Sequence, residues 1–215
     1  MIDDDFLLQS ASTQLKNGQF VKVPILIGTN FDEGASFAPE TVNNTEEFRN
    51  YLISDGITSV DAALDALLLL YPDIPSIGVP ATLHGRNPSL GLQYKRCASM
   101  IGDILMHAPR RLTTEIWASH NLSSYSYHFN VVPNGVSYNF GSDHGSEWAF
   151  VFNNVNGYGY AVHNQVNPFA NKPDSYKQLA RLMTRQWSSF VANLDPNDSG
   201  GMFTSSSLPA TFVAN

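Results

Sequence analysis

The sequence is poor in charged residues, has a single cysteine and contains no long apolar run. Asp, Glu, Lys and Arg make up 14% of the 215 residues, whereas an average soluble domain has about 25%. The net charge is −7, and nucleic acid is not an expected partner because phosphate contacts need clustered Lys and Arg. No stretch approaches the roughly 18 apolar residues of a transmembrane helix, so we expect no transmembrane segment.

The single cysteine, Cys97, cannot form a disulfide within the chain. We expect a buried free thiol that packs as a small apolar side chain, and a bond to a missing segment is the alternative. Metal ligation is not expected either, because His144 and Glu147 lack a third ligand at a suitable spacing and no H-E-x-x-H motif occurs. We therefore predict that the protein uses no cofactor.

The first residues and the glycosylation sequons bear on the cellular compartment. Residues 1–6 carry three acids where a signal peptide would have a basic start and an apolar run. We therefore expect no signal peptide in this chain. Polarity comes mainly from Asn, Ser, Thr and Tyr, a bias that suits a secreted, glycosylated surface. Candidate N-glycan acceptors lie in three N-x-S/T sequons, at Asn43, Asn121 and Asn197.

Apolar periodicity predicts two strands and several helices. Residues 23–29 (VPILIGT) form a nearly continuous apolar run typical of a buried parallel strand, and residues 123–132 alternate as a second strand would. Helices are predicted over residues 45–54, 59–70, 90–118 and 176–192, and the third of these is expected to break near Gly102 and Asp103 and again at Pro109. This order is typical of an open α/β sheet. Because two strands make a poor sheet, we expect the chain to be part of a domain.

Two loops that follow the predicted strands carry candidate catalytic groups. Residues 28–34 (GTNFDEG) come directly after the first strand, where open parallel sheets place functional side chains. Asp32 and Glu33 compete there for the role of an acid that orients a histidine. Asp32 has an alternative as a cap of the following turn, and a solvated acidic turn is the ordinary alternative for both.

The second loop, residues 139–148 (NFGSDHGSEW), places His144 between glycines that allow close backbone approach. The ordinary alternative is a surface or core histidine whose hydrogen bonds are satisfied. An acid after one strand and a histidine after a later strand follow the chain order Ser, Asp/Glu, His of α/β-hydrolases. Glu33 and His144 are 111 positions apart, which leaves room for a set of helices between the two strands.

Five segments carry a family resemblance: residues 20–37 (FVKVPILIGTNFDEGASF), 71–80 (YPDIPSIGVP), 93–111 (QYKRCASMIGDILMHAPRR), 143–152 (DHGSEWAFVF) and 185–197 (RQWSSFVANLDPN). They resemble, in the same order, the C-terminal part of the type B carboxylesterase/lipase family, which includes fungal lipases, cholinesterases and liver-type carboxylesterases. The resemblance implies an incomplete α/β-hydrolase fold over residues 1–197, a mostly parallel sheet flanked by helices. Residues 198–215 show no such resemblance, and we expect an irregular tail there.

The resemblance also implies a function, that of a carboxylic ester hydrolase with a Ser-Glu-His triad. The Glu of the family's D-E-G segment falls on Glu33 and is the implied triad acid, and the His of its H-G/A-x-E segment falls on His144 and is the implied base. The implied substrate is a small-molecule carboxylic ester or a lipid, and the implied compartment of a full-length member is extracellular. Lipase and short-chain esterase are both compatible with these residues.

The chain departs from the family in two respects. No G-x-S-x-G nucleophile motif and no Gly-rich oxyanion loop occur, and in this family both precede the acid. We therefore expect a fragment that lacks the nucleophile serine and that has no activity alone. In addition, Leu194 stands where the family generally has Gly.

Two other functions stay open. One is a cholinesterase-like interaction module that has lost catalysis, which the retention of Glu33 and His144 argues against. The other is a carbohydrate-binding module, suggested by the Tyr, Trp and Asn content. The Leu-rich helix predicted over residues 59–70 argues against it, because such modules are mostly β.

Overall fold

The structure is a computed structural model that describes residue 5 and residues 8–163 and 165–197. The tail predicted over residues 198–215 lies outside the described residues. The contacts between its residues divide the chain into two compact units. The first unit comprises the described parts of Met1–Gly28, Ala108–Tyr127 and Arg185–Asn215, and the second comprises those of Thr29–His107 and His128–Thr184.

Two six-residue strands, β1 (Ile25–Asn30) and β2 (Ser124–Phe129), pair with each other. The Ile25 N–H donates to the Ser123 carbonyl and the Phe31 N–H donates to the Phe129 carbonyl. Both bonds join residues 98 positions apart, so the strands are parallel and keep one register. Two parallel strands end at the same edge of a sheet, so the loops that begin after Asn30 and after Phe129 emerge on the same side.

Seven α-helices occur among the described residues: α1 (Ala11–Lys16), α2 (Thr45–Ser54), α3 (Asp61–Leu70), α4 (Tyr94–Gly102), α5 (Ala108–Ser119), α6 (Trp148–Val151) and α7 (Asp174–Asn193). The prediction over 45–54 is confirmed, and those over 59–70 and 176–192 are confirmed to within two residues. The stretch predicted over 90–118 forms α4 and α5, which a π-helical turn over Asp103–His107 separates. Short 3₁₀ turns cover Glu33–Ser36, Pro88–Leu90 and Tyr160–His163.

The second unit has a core built on α2, α3 and α4. Its buried residues are Val42, Phe48, Leu52, Leu64, Cys97, Met100 and Ile101. Cys97 is a free thiol and fully buried, which confirms the expectation that it packs as a small apolar side chain. Burial raises the pKa of the Cys97 thiol to about 12, so the thiolate that would react is scarce at neutral pH.

The first unit packs aromatic side chains around its part of the two strands. The ring of Phe20 stacks on Trp117 with centroids 4.2 Å apart, and the Trp117 indole donates a 2.7 Å hydrogen bond to the Val23 carbonyl. Gly28 in β1 is covered by the ring of Tyr127, since a Cβ on Gly28 would lie 2.1 Å from that ring. A glycine is therefore required at position 28.

Helix α7 ends with a non-glycine residue in the left-handed region. Leu194 has a φ of 61°, its N–H donates to the Phe190 carbonyl, and its side chain is largely exposed. The family that the sequence resembles generally has Gly at this position. Glycine adopts this C-terminal conformation without steric cost.

The variant Leu194→Gly is expected to raise the free energy of unfolding by about 0.5–1 kcal/mol. Relief of the left-handed backbone is worth about 1–2 kcal/mol, and the greater freedom of glycine in the unfolded chain offsets part of that gain. Urea-induced unfolding monitored by circular dichroism measures the change. Leu194→Ala is the control, because it shortens the side chain and keeps the strained φ. Equal stabilisation by both variants would contradict the backbone explanation.

Candidate active site

The candidate acid lies in the 3₁₀ turn Glu33–Ser36, which follows β1 after a two-residue gap. The turn packs directly on α4: a Cβ on Gly34 would lie 1.9 Å from the Ala98 carbonyl oxygen, so only glycine fits there. The buried Tyr94 hydroxyl donates a 2.7 Å hydrogen bond to the Ala35 carbonyl. These contacts hold the turn against the helix and leave Glu33 only 5% exposed.

The histidine loop begins beyond β2, and two hydrogen bonds between Asp32 and Ser142 join it to the acid loop. The Ser142 N–H donates to Asp32 Oδ2 at 2.7 Å, and the Asp32 N–H donates to the Ser142 carbonyl at 2.9 Å. The Ser142 hydroxyl also donates to the carbonyl of Phe129, the last residue of β2. Ser142 is fully buried, so the two loops are joined in the interior of the second unit.

The structure brings Glu33 and His144, the two site residues predicted from the sequence, into direct contact. Glu33 Oε2 lies 2.6 Å from His144 Nδ1. An ionised carboxylate can only accept, so His144 donates its Nδ1–H and a neutral imidazole keeps Nε2 free to accept a proton. The other Glu33 oxygen, Oε1, accepts the Asn30 backbone N–H at 2.7 Å. The His144 side chain is 43% exposed and that of Glu33 is 6% exposed.

Asp32, the competing acid, does not contact His144 within the described structure. It lies at the N-terminal cap position of the 3₁₀ turn, but its carboxylate makes no capping hydrogen bond there. The expected capping role is therefore wrong, because the carboxylate turns towards the Ser142 N–H instead. Burial raises the pKa of Asp32, the hydrogen bond from Ser142 opposes this shift, and the nearby Asp143 carboxylate adds to it.

Asp143, the residue before His144, accepts hydrogen bonds from two serine hydroxyls. The Ser146 hydroxyl donates to Asp143 Oδ1 at 2.6 Å, and the Ser36 hydroxyl donates to Asp143 Oδ2 at 3.4 Å while accepting the His144 N–H at 3.3 Å. Burial raises the pKa of Asp143, and the hydrogen bonds from Ser146 and Ser36 lower it. Sequence reasoning passed over these serines because no spacing rule connects residue 36 to residue 143.

A cavity of about 670 Å³ opens beside His144, a size within the range of small-molecule sites. The larger side chains of its wall, besides His144, are Pro133, Val136, Trp148, Tyr158, Tyr160, Gln165, Val166 and Pro168. Asp143 is the one carboxylate among the described residues that line it. The cavity therefore suits an uncharged, largely apolar ligand. Its walls come from three separate loops, so the sequence alone did not reveal it.

In the part of the chain that the structure describes, no group of three or more His, Cys, Asp and Glu side chains lies close enough together to hold a metal ion. None of the helices in that part of the chain combines the length and the hydropathy needed to cross a membrane.

Comparison with known proteins bears independently on the fold and on the family. The lipase named Lipase 2 of Geotrichum candidum is 31% identical over 156 residues, which are 70% of this chain and 26% of that protein. Secreted lipase 1 of Botryotinia fuckeliana is 29% identical over 91% of this chain and 31% of its own length. The chain thus spans about a quarter to a third of the length of these relatives.

The solved structures agree on the fold. The crystal structure of Aspergillus niger EstA superposes with a TM-score of 0.68 at 20% identity, over 92% of this chain and 35% of that one. The parallel strands and the helices are therefore part of an α/β-hydrolase fold, as the sequence predicted. The sequence profile of the carboxylesterase family matches residues 1–211. With that match over nearly the whole sequence, the chain belongs to the carboxylesterase family.

Proposed function

We propose that Glu33 and His144 are the acid and the base of a Ser-Glu-His triad in a carboxylic ester hydrolase, and that the nucleophile serine lies outside these 215 residues. The observation that carries the proposal is the 2.6 Å contact between Glu33 Oε2 and His144 Nδ1. This contact has the geometry that an acid and a base need in a hydrolase triad, and it occurs in a chain that belongs to the carboxylesterase family.

In the proposed mechanism, the Glu33 carboxylate keeps the His144 imidazole in the tautomer that carries its proton on Nδ1. His144 Nε2 removes the proton of the serine hydroxyl while the serine oxygen attacks the ester carbonyl carbon. Glu33 stabilises the imidazolium that forms. His144 then protonates the departing alcohol, and the same pair activates the water that hydrolyses the acyl-enzyme.

The substrate that we propose is an uncharged carboxylic ester or a lipid. The cavity beside His144 supports this, because Trp148, Val166 and their neighbours offer mostly apolar side chains. An ester group has no net charge, so its binding requires no buried countercharge.

A chimera tests the proposal. We expect hydrolysis of p-nitrophenyl butyrate when this chain replaces the matching segment of Geotrichum candidum Lipase 2. In this chimera, this chain supplies Glu33 and His144 and the lipase supplies the rest of the enzyme. His144→Ala and Glu33→Gln in the chimera should each lower kcat by about a thousandfold or more, as loss of a triad partner does. Initial rates at saturating substrate give kcat.

The 215-residue chain alone is the matched control, and we expect it to show no hydrolysis above the buffer blank. A folded chimera whose rate does not change in His144→Ala would contradict the proposed base. A chimera that unfolds cooperatively but lacks activity would favour the non-catalytic interaction module.

A second prediction concerns the choice between the two adjacent acids and uses the chain alone. In ¹⁵N-labelled protein, the His144 Nδ1–H should give a downfield proton signal, because a short hydrogen bond to a carboxylate deshields the proton and also slows its exchange with water. Glu33→Gln should shift this signal upfield and speed its exchange with water, whereas Asp32→Asn should leave it in place. The opposite pattern would assign the acid role to Asp32.

We further propose that the protein is extracellular and carries an N-glycan at Asn121. One relative, Secreted lipase 1 of Botryotinia fuckeliana, is named as a secreted protein. Asn121 is exposed at the turn that follows α5. Asn43 is also exposed, but its Oδ1 accepts a hydrogen bond from the Leu92 N–H and its Nδ2 donates one to the Thr41 carbonyl, so a glycan on Nδ2 would have to fit beside these contacts. Asn197 is exposed, and the rest of its sequon lies outside the described residues.

We expect the chain, when it is directed through the yeast secretory pathway, to migrate faster on a gel after its N-glycans are removed. Asn121→Gln should abolish the part of this shift that comes from the Asn121 glycan. The reason is that Asn121 presents its side chain to solvent after α5. Asn43→Gln is the control and should leave the shift unchanged. Gel electrophoresis before and after glycosidase treatment measures both, and a shift lost only in Asn43→Gln would reverse the assignment.

A further inference from the structure

Asn30, the last residue of β1, contacts the acid of the pair and the residue that precedes the histidine. It is 1% exposed. Its backbone N–H donates to Glu33 Oε1 at 2.7 Å. Its side-chain amide donates to the Asp143 carbonyl at 2.7 Å and to Glu147 Oε2 at 2.6 Å. One buried residue therefore holds the acid with its main chain and the histidine loop with its side chain.

We propose that Asn30 is a positioning residue for the Glu33–His144 pair, an inference that rests on the proposed function of that pair. The Asp143 carbonyl belongs to the peptide bond that precedes His144. A hydrogen bond to this carbonyl restrains the peptide plane from which the imidazole projects. The main-chain N–H of Asn30 restrains the Glu33 carboxylate. The distance between the Glu33 carboxylate and the His144 imidazole therefore depends on the side chain and the main-chain N–H of Asn30.

Glu147 sets the orientation of the Asn30 amide. Both N–H groups of the amide point at oxygen atoms, one on the Asp143 carbonyl and one on the Glu147 carboxylate. The bond to the carboxylate is charge-assisted and about twice as strong as a neutral one. Glu147 itself directly precedes α6, so the amide also holds the start of that helix. Only a donor suits position 30, since an acid there would face two acceptors.

The side-chain contacts can be tested separately from the main-chain contact. Any substitution of Asn30 other than proline keeps the backbone N–H that donates to Glu33. Asn30→Asp replaces the donor with a carboxylate that faces the Asp143 carbonyl and the Glu147 carboxylate. Asn30→Ser removes both side-chain bonds without adding charge, and it serves if the aspartate variant does not fold.

The experiment measures exchange of the His144 Nδ1–H with water by NMR in the 215-residue chain. Asn30→Asp and Asn30→Ser should each speed this exchange by at least about tenfold, the factor that loss of one hydrogen bond to a charged group produces. Asn30→Asp combined with Glu147→Gln should recover part of the protection, because the new amide can donate to the new carboxylate. Leu64→Ala is the control, since Leu64 is fully buried in the core of the same unit.

A merely structural role for Asn30 predicts a different result. In that case Leu64→Ala, which leaves a cavity in the buried core and so destabilises it, would speed the exchange as much as the Asn30 variants do. That outcome, or wild-type exchange in a folded Asn30 variant, would overturn the inference while the pair itself stands. If the wild-type signal is absent or unchanged by Glu33→Gln, the proposed pair fails first.

Discussion

The parallel pairing of β1 and β2 is the constraint on which the candidate site depends. Its register is the same at both ends, from the bond between Ile25 and Ser123 to the bond between Phe31 and Phe129. Because the strands are parallel, both of the following loops emerge at one edge. An antiparallel pair would send them to opposite edges. Two groups 111 residues apart in the chain can therefore form a 2.6 Å hydrogen bond.

Around this edge four carboxylates lie in a small volume, and each accepts at least one hydrogen bond. Glu33 accepts from the Asn30 N–H and the imidazole, Asp32 from the Ser142 N–H, Asp143 from two hydroxyl groups and Glu147 from the Asn30 amide. Burial raises the pKa values of Asp32 and Asp143, and a neighbouring carboxylate adds to each shift. The donors lower the cost of keeping these acids charged, and they also hold the two loops in one arrangement.

Close backbone packing is the second requirement of the site. Gly34 has no room for a Cβ against α4, and a Cβ on Gly141 would lie 2.2 Å from Asp32 Oδ2. Asn30 completes the arrangement from the end of β1. The acid loop, the histidine loop and Asn30 thus form one connected set of short contacts, all within the second unit, in which the imidazole remains partly exposed.

Much of this architecture could be predicted from the sequence, because local patterns carry it. The apolar run of β1, the periodicity of α2 and α7 and the breaks around α4 and α5 all follow from residues within a few positions of one another. The short helix α1 and the 3₁₀ turns escaped prediction, since segments of three to six residues carry almost no periodicity. The motif residues Glu33 and His144 were recognisable because their neighbours resemble a family pattern.

The sequence by itself therefore determined the order of the elements, the family, and the identity of the acid and the histidine as candidates. Only the tertiary structure decided that Glu33 and not Asp32 meets the imidazole, that Asp32 binds Ser142 instead of capping a turn, and that Asn30 reaches both loops. The physical reason is that adjacent side chains leave the backbone in different directions. Which of them reaches a partner more than 100 residues away depends on strand register and loop packing, and these are properties of the folded chain.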